Sequence, residues 1–195
     1  MGTDSDSHAL PEFTGEQSSK VSWAAGGSAS PAVVVPYDPR WPVIFATLRD
    51  AADAALAGIP HATEHVGSTA VPGLDAKPII DIDVVVPDRA AVRPAVQALA
   101  AAGWQPEGDL GVEGREAFAP PQDLPYHHLY VVVAGNRAYR DHVDLRDFLR
   151  SHPGHAARYA RLKHDLEHLL ATDRVAYTEG KAAMITEFLN ESRAG

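Results

Sequence analysis

Apolar residues recur at helical spacing from Trp41, through Ile44, Phe45, Leu48, Ala52, Ala55 and Leu56, which predicts one amphipathic helix with a single buried stripe. Asp38 followed by Pro39 has the form of an N-cap and a first-turn proline, and Gly58 and Pro60 end the helix. The period then shortens. His61–Val66 reads as a short strand, and Ile79–Val86 as a more deeply buried one, apolar on both faces apart from its aspartates. Asp88 caps a helix running to about Ala102 with Val92, Ala95, Val96 and Leu99 inward, and Gly103 stops it before a short segment at Trp104–Pro106. Strand signals resume weakly over Glu113–Ala119 and clearly over His127–Val133. In the latter, alternation places His128, Tyr130 and Val132 on one face and His127, Leu129, Val131 and Val133 on the other. From Asn136 the pattern is helical over Ala138–Ser151, His155–Ala171 and Val175–Ser192, the last capped by Asp173. No segment repeats. The expected architecture is α/β (α+β): a small mixed sheet flanked by helices, with a helical C-terminal third.

Composition sharpens the domain boundaries. Residues 1–31 hold seven serines, four glycines and four acids against one lysine, with no sustained periodicity, and are expected to form a disordered N-terminal tail. Residues 32–192 then make one domain, in keeping with a total of 195. The absence of cysteine removes disulfides, thiolate nucleophiles and thiolate metal sites. A formal charge of -9 argues against a surface that grips nucleic acid, while a local basic pocket for a nucleotide stays open. No apolar run reaches the ~20 residues that span a bilayer, so the expectation is a cytoplasmic protein with no membrane partner.

The chemistry concentrates in His65–Val86, HVGSTAVPGLDAKPIIDIDVVV. Asp81 and Asp83 alternate on one strand and therefore project from one face. Acids in so apolar a run are costly to bury without a partner, and a pair of them suits a divalent cation, Mg2+ or Mn2+, that takes its other ligands from water and substrate phosphates. Gly67 and Ser68 form a turn whose backbone N–H groups and hydroxyl suit phosphate oxygens. Metal beside phosphate points to nucleotidyl transfer from an NTP to an acceptor, a small molecule or a protein. Neither GxxxxGK[ST] nor GxGxxG can be read from Gly67, Gly73 and Lys77, which removes Walker-type ATPase chemistry. Lys77 stands at the entry to the aspartate strand as a phosphate-binding charge. Arg146, Arg150, Lys163 and Lys181 join it if their helices fold back over the sheet. Tyr159 with Lys163, and Tyr177 with Lys181, are each four apart, so both lysines are able to face one cleft. His164 and His168 share that spacing, but Asp165 stands where a zinc-protease helix needs glutamate.

Taken together, VPYDPRWPVIF, HVGSTAVPGLDAKPIIDI, HHLYVV, LRDFLRSHP, YARLK and Tyr177–Lys181 resemble the GrpB family of bacterial proteins over about Val33–Asn190. They also resemble the C-terminal extension of some actinobacterial dephospho-CoA kinases. The resemblance implies a minimal nucleotidyltransferase fold, with Gly67 and Ser68 at the phosphate turn and Asp81 and Asp83 as metal ligands. It also exposes a departure, because active members of that superfamily carry a third carboxylate on a later strand. Here His128, as ligand or base, or Glu116 on the preceding strand, is the candidate for that place. The alternatives are a catalytically silent nucleotide-binding or accessory module of the same fold, and an interaction module linked to CoA synthesis.

Overall fold

In a computed structural model, described here for residues 32–194, five strands form one mixed sheet in the order β1 (Ala62–Val66), β2 (Ile80–Val86), β5 (His127–Val133), β4 (Arg115–Ala119), β3 (Gln105–Gly108). β2 and β5 run parallel and the other neighbours antiparallel. A parallel pair needs a crossover. It is supplied by α2 (Arg89–Ala101), followed by the β3–β4 hairpin. Asp88 caps α2 through the N–H groups of Ala90 and Ala91 at 2.9 and 3.1 Å.

One face of β2 and β5, with Ile80, Ile82, Val84, Val86, Leu129 and Val131, packs under α1 (Trp41–Ala55) and α2. Each such side chain contributes about 1.5–3 kcal/mol on burial. The opposite face carries Asp81 and Asp83 and is covered by α3 (Arg137–Ser151). Behind α3 stand α4 (Pro153–Asp165) and α5 (Arg174–Ala194), joined to it through Phe148, Leu149, Tyr159 and Phe188. The helical C-terminal third therefore roofs the face that carries the acids.

The departures from the sequence expectation are local. Arg40, not Asp38, occupies the N-cap of α1, because the Asp38 carboxylate is taken by the Arg40 N–H and guanidinium. The helix expected over His155–Ala171 is α4 followed by a separate 3-10 turn, Glu167–Ala171. α3 and α4 break at His152 (φ -126°, ψ 77°), where the following Pro153 disfavours a helical conformation. The expected disordered tail, 1–31, lies outside the described residues. Among those described, no helix is long and apolar enough to cross a membrane.

The segment between the Gly-Ser turn and β2 ties the chain's distant parts together. Val35 and Ala76 exchange backbone bonds of 2.8 and 2.9 Å. The Asp75 carbonyl accepts from Lys163, and its carboxylate accepts from His164 Nε2 at 2.9 Å. Val34 N–H donates to Glu167 at 3.0 Å.

His127 sits in the core with 0% exposure. It accepts from Trp104 Nε1–H at 3.0 Å and its Nδ1–H donates to the Pro125 carbonyl at 2.7 Å, which fixes a neutral tautomer. Burial holds its pKa down at about 4, against the Pro125 bond that favours the proton. Burial likewise holds His65 at about 4. Both values lie below the unfolded ~6.5, so this stability is present above pH ~6.5 and is lost as pH falls toward 4. Thermal unfolding is expected to move to lower temperature between pH 6.5 and 5, ahead of carboxylate titration, with net proton uptake. A Tm that stays flat across that interval would contradict the assignment.

Candidate functional site

The site is built where β1 hands over to β2. Gly67 has φ 71° and ψ -170°, and a Cβ there would lie 2.2 Å from Asp81 Oδ2. Only glycine gives the turn both its left-handed conformation and its approach to the carboxylate. Thr69 locks the turn from below, donating to the Ile79 carbonyl at 3.1 Å and accepting from His65 Nε2 at 3.0 Å. From above, α3 supplies two arginines. Arg146 Nη1 donates to Glu64 at 2.8 Å and to the His65 carbonyl at 3.0 Å, while Arg150 gives two bonds, 2.9 and 2.7 Å, to the Ala70 carbonyl. Replacing Gly67 with alanine is expected to cost about 1–3 kcal/mol in stability, from backbone strain and displacement of Asp81. A Gly67→Ala protein with an unchanged Tm would contradict this geometry.

Both aspartates face the same side of β2, and each is held by a histidine. His128, directly across the β2–β5 register from Asp81, donates from Nδ1 to Asp81 Oδ1 at 2.8 Å. His142, from α3, places Nδ1 at 3.1 and 2.9 Å from the two oxygens of Asp83, whose side chain is 0% exposed. For Asp81, burial pushes the pKa up, but the bond and charge of His128, with His142 and Lys77, outweigh it and leave the carboxyl below its usual value. For Asp83 burial wins over His142, and the pKa is raised. Burial pulls His142 down, but the Asp83 bond and charge carry it above its ordinary value. Tyr130 lies between the histidines, its ring centroid 6.3 Å from that of His128 and 5.7 Å from that of His142.

Glu116 is not part of this group. It pairs with Val131, on the opposite face of β5 from His128 and Tyr130. Arg115 takes that face instead, its guanidinium 4.6 Å from the Tyr130 centroid. His142 was not among the sequence candidates, and no spacing relates it to Asp83 because the two meet only when α3 packs on the sheet.

Beside Asp81 opens a cavity of about 360 Å³ whose wall includes Ser68, Lys77, Lys163 and Lys181. Lys163 is 2% exposed, and its ammonium lies 4.7 Å from the Tyr159 centroid. Lys181 and Lys77 approach the Tyr177 ring at 4.3 and 5.5 Å. Burial, with Lys181 beside it, pulls Lys163 down to about 7, and burial with Lys77 beside it pulls Lys181 to about 8. Burial lowers Lys77 as well, opposed by Asp81. Arg146 reaches the wall too, but its guanidinium is shared among Glu64, Asp147 and the His65 carbonyl. Gly67, Ser68, Lys77, Asp81, His128, Arg146, Lys163 and Lys181 are thus brought to one cavity, with Asp83 sealed behind His142.

Among the described residues, no group of three or more Asp, Glu or His is arranged to hold a metal ion. Mg2+ needs only one or two carboxylates when phosphates and waters complete its shell. Asp81 meets that need at the cavity wall, while the Asp83 carboxylate is engaged by His142 behind it. The donor set therefore fits a cation that arrives with a phosphate ligand.

In this mixed sheet a Gly-Ser turn feeds an Asp-x-Asp strand. The same fold is seen in the Cid1 poly(U) polymerase in its MgGTP-bound structure, at a TM-score of 0.53 and 13% identity, covering 73% of this chain and 46% of that one. The chain belongs to the GrpB family, whose model, described as GrpB protein, matches residues 31–191. The solved structure of the conserved protein GrpB from Enterococcus faecalis superposes at a TM-score of 0.73 with 29% identity, covering 82% of this chain and 96% of that one. A UPF0157 protein of Pseudomonas aeruginosa is 39% identical over 168 residues, 83% of this chain and 67% of its own length. A dephospho-CoA kinase of Mycolicibacterium paratuberculosis is 37% identical over 78 residues, 38% of this chain and 19% of that protein.

Proposed function

We propose that this chain binds an NTP in the lysine-lined cavity. With Mg2+ or Mn2+ at Asp81 and Asp83, it transfers the nucleoside monophosphate to a hydroxyl of a small-molecule or protein acceptor in the cytoplasm. One observation carries the reading: three lysines desolvated in one cavity beside a carboxylate strand. Clustered ammonium groups repel one another and lose hydration, and an oligophosphate relieves both penalties at once.

In this reading Ser68, Lys77, Lys163 and Lys181 bind phosphate oxygens, and Arg146 and Arg150 hold the turn that presents Ser68. The acceptor oxygen bonds to the α-phosphorus while the bond to pyrophosphate breaks, and the lysines keep the leaving group's charge neutralised. His128, with Nδ1–H given to Asp81, has Nε2 free to take the acceptor's proton. The cation, when bound, supplies charge neutralisation at the phosphate under attack. The test is calorimetry of the full chain with each NTP and Mn2+, followed by pyrophosphate release with candidate acceptors. Absence of NTP binding sinks the proposal.

A second reading, a nucleotide-binding module without turnover, is favoured by Asp83 being covered by His142 and by an imidazole, His128, standing across from Asp81. Pyrophosphate release with any acceptor rules it out. The short likeness to a dephospho-CoA kinase motivates a third, an interaction module in CoA synthesis, which requires tight binding to such a kinase.

A further inference from the structure

The walls of the cavity bear on which part of a ligand is recognised, an argument that rests on the oligophosphate reading above. Flat bases are held by an open aromatic or guanidinium face, and are told apart by hydrogen bonds to their edges. Here the aromatic rings at the lysine end are spoken for. Tyr159 is 4% exposed and Tyr177 1%, and their rings already carry ammonium groups, Lys163 on Tyr159 and Lys181 and Lys77 on Tyr177. Arg146 and Arg150 spend their guanidiniums on Glu64, Asp147 and backbone carbonyls. His128 and His142 are turned by Nδ1 contacts onto the aspartates. The Tyr130 ring, also in the wall, has the Arg115 guanidinium 4.6 Å from its centroid and the His128 and His142 rings beside it. Among the described residues, the wall contains no asparagine or glutamine, the amide side chains able to pair with a base edge; Leu145, Leu149 and Ile185 are apolar, and Thr178 on α5 adds a single hydroxyl, which both donates and accepts and so suits any base edge alike. Apolar surface accepts any base and selects none.

We infer that this site reads the phosphate chain of its ligand and not the base: its ligand class is the triphosphate-bearing molecule, sorted by phosphate number. Three ammonium groups from three separate segments, at Lys77, Lys163 and Lys181, supply the counting. A single phosphate carries too little charge to neutralise all three.

The experiment titrates the full chain, with Mn2+ present, against ATP, GTP, CTP, UTP, inorganic tripolyphosphate, pyrophosphate and orthophosphate by calorimetry. The four nucleotides are expected to agree with one another and with tripolyphosphate to within about tenfold, and loss of each phosphate to weaken binding by about tenfold or more. Lys181→Met is expected to weaken ATP and tripolyphosphate by the same factor. Discrimination among the bases above about tenfold, or NTP binding without tripolyphosphate binding, overturns the inference while leaving the oligophosphate site standing. Binding of none of the seven overturns the inference together with the reading beneath it.

Discussion

Replacing Asp81 and Asp83 together by asparagine is expected to lower the proposed nucleotidyl transfer by about a thousandfold or more, with stability changed by no more than about 1 kcal/mol. The two effects separate because asparagine keeps the shape and an acceptor oxygen for His128 and His142 while removing the charge that attracts a cation. At Asp83 the change also relieves a buried carboxylate whose protonated form the fold already favours. Asp81→Asn alone should account for most of the loss, since Asp81 forms the cavity wall while Asp83 is covered. Pyrophosphate release and thermal unfolding, measured on the same preparations, decide it. A double variant that turns over normally would take the aspartates out of the mechanism.

Lys163→Met is expected to do the reverse of a usual site mutation, weakening triphosphate binding by about 10- to 100-fold while raising stability. The native ammonium is buried against a backbone carbonyl and a tyrosine face. Its pKa of about 7 lies below its ordinary 10.5, so the folded state disfavours the proton. Stability from this group is therefore greatest above pH ~10.5 and declines as pH falls toward 7, and removing the amine recovers on the order of 3 kcal/mol near neutral pH. The same shift sets the pH profile of binding. A bound phosphate raises the pKa of Lys163 and Lys181, so complex formation takes up protons. Affinity should fall as pH rises from 7 to 9, a range in which phosphates are already ionised. An affinity independent of pH there, or a variant no more stable than the native protein, would show that Lys163 carries its charge unperturbed.

What the sequence discloses depends on whether a residue's role is set along the chain or across it. β5 was legible to its end residues, and β2 to within one, because their alternation and branching leave one register on a two-layer sheet. The partnership of Lys163 with Tyr159, and of Lys181 with Tyr177, follows from helical spacing alone. Glu116 was misjudged because the polar β3–β4 hairpin does not fix its own register, and one residue of slip exchanges the faces, putting Arg115 where an acid was sought. Arg146 showed its neighbour Asp147 as a partner but not its distant ones, Glu64 and the His65 carbonyl. His142 had no signal at all, since its pairing with Asp83 exists only through the docking of α3.

The bridge of Asp75 and Ala76 to Val35, Lys163 and His164 gives the site an order of assembly. A nascent chain that has emerged only through β5 already contains Gly67, Ser68, Asp81 and His128, the reacting half of the proposed site. It lacks Lys163 and Lys181, the charges that make a phosphate welcome. Competence to hold the proposed ligand would then arrive with the last two helices, when Lys163 of α4 seats on the Asp75 carbonyl and α5 brings Lys181 to the wall. A ligand bound as proposed would act as a template for docking the C-terminal helices, and its stabilisation of the protein is expected first in α4 and α5, the elements that join the site last.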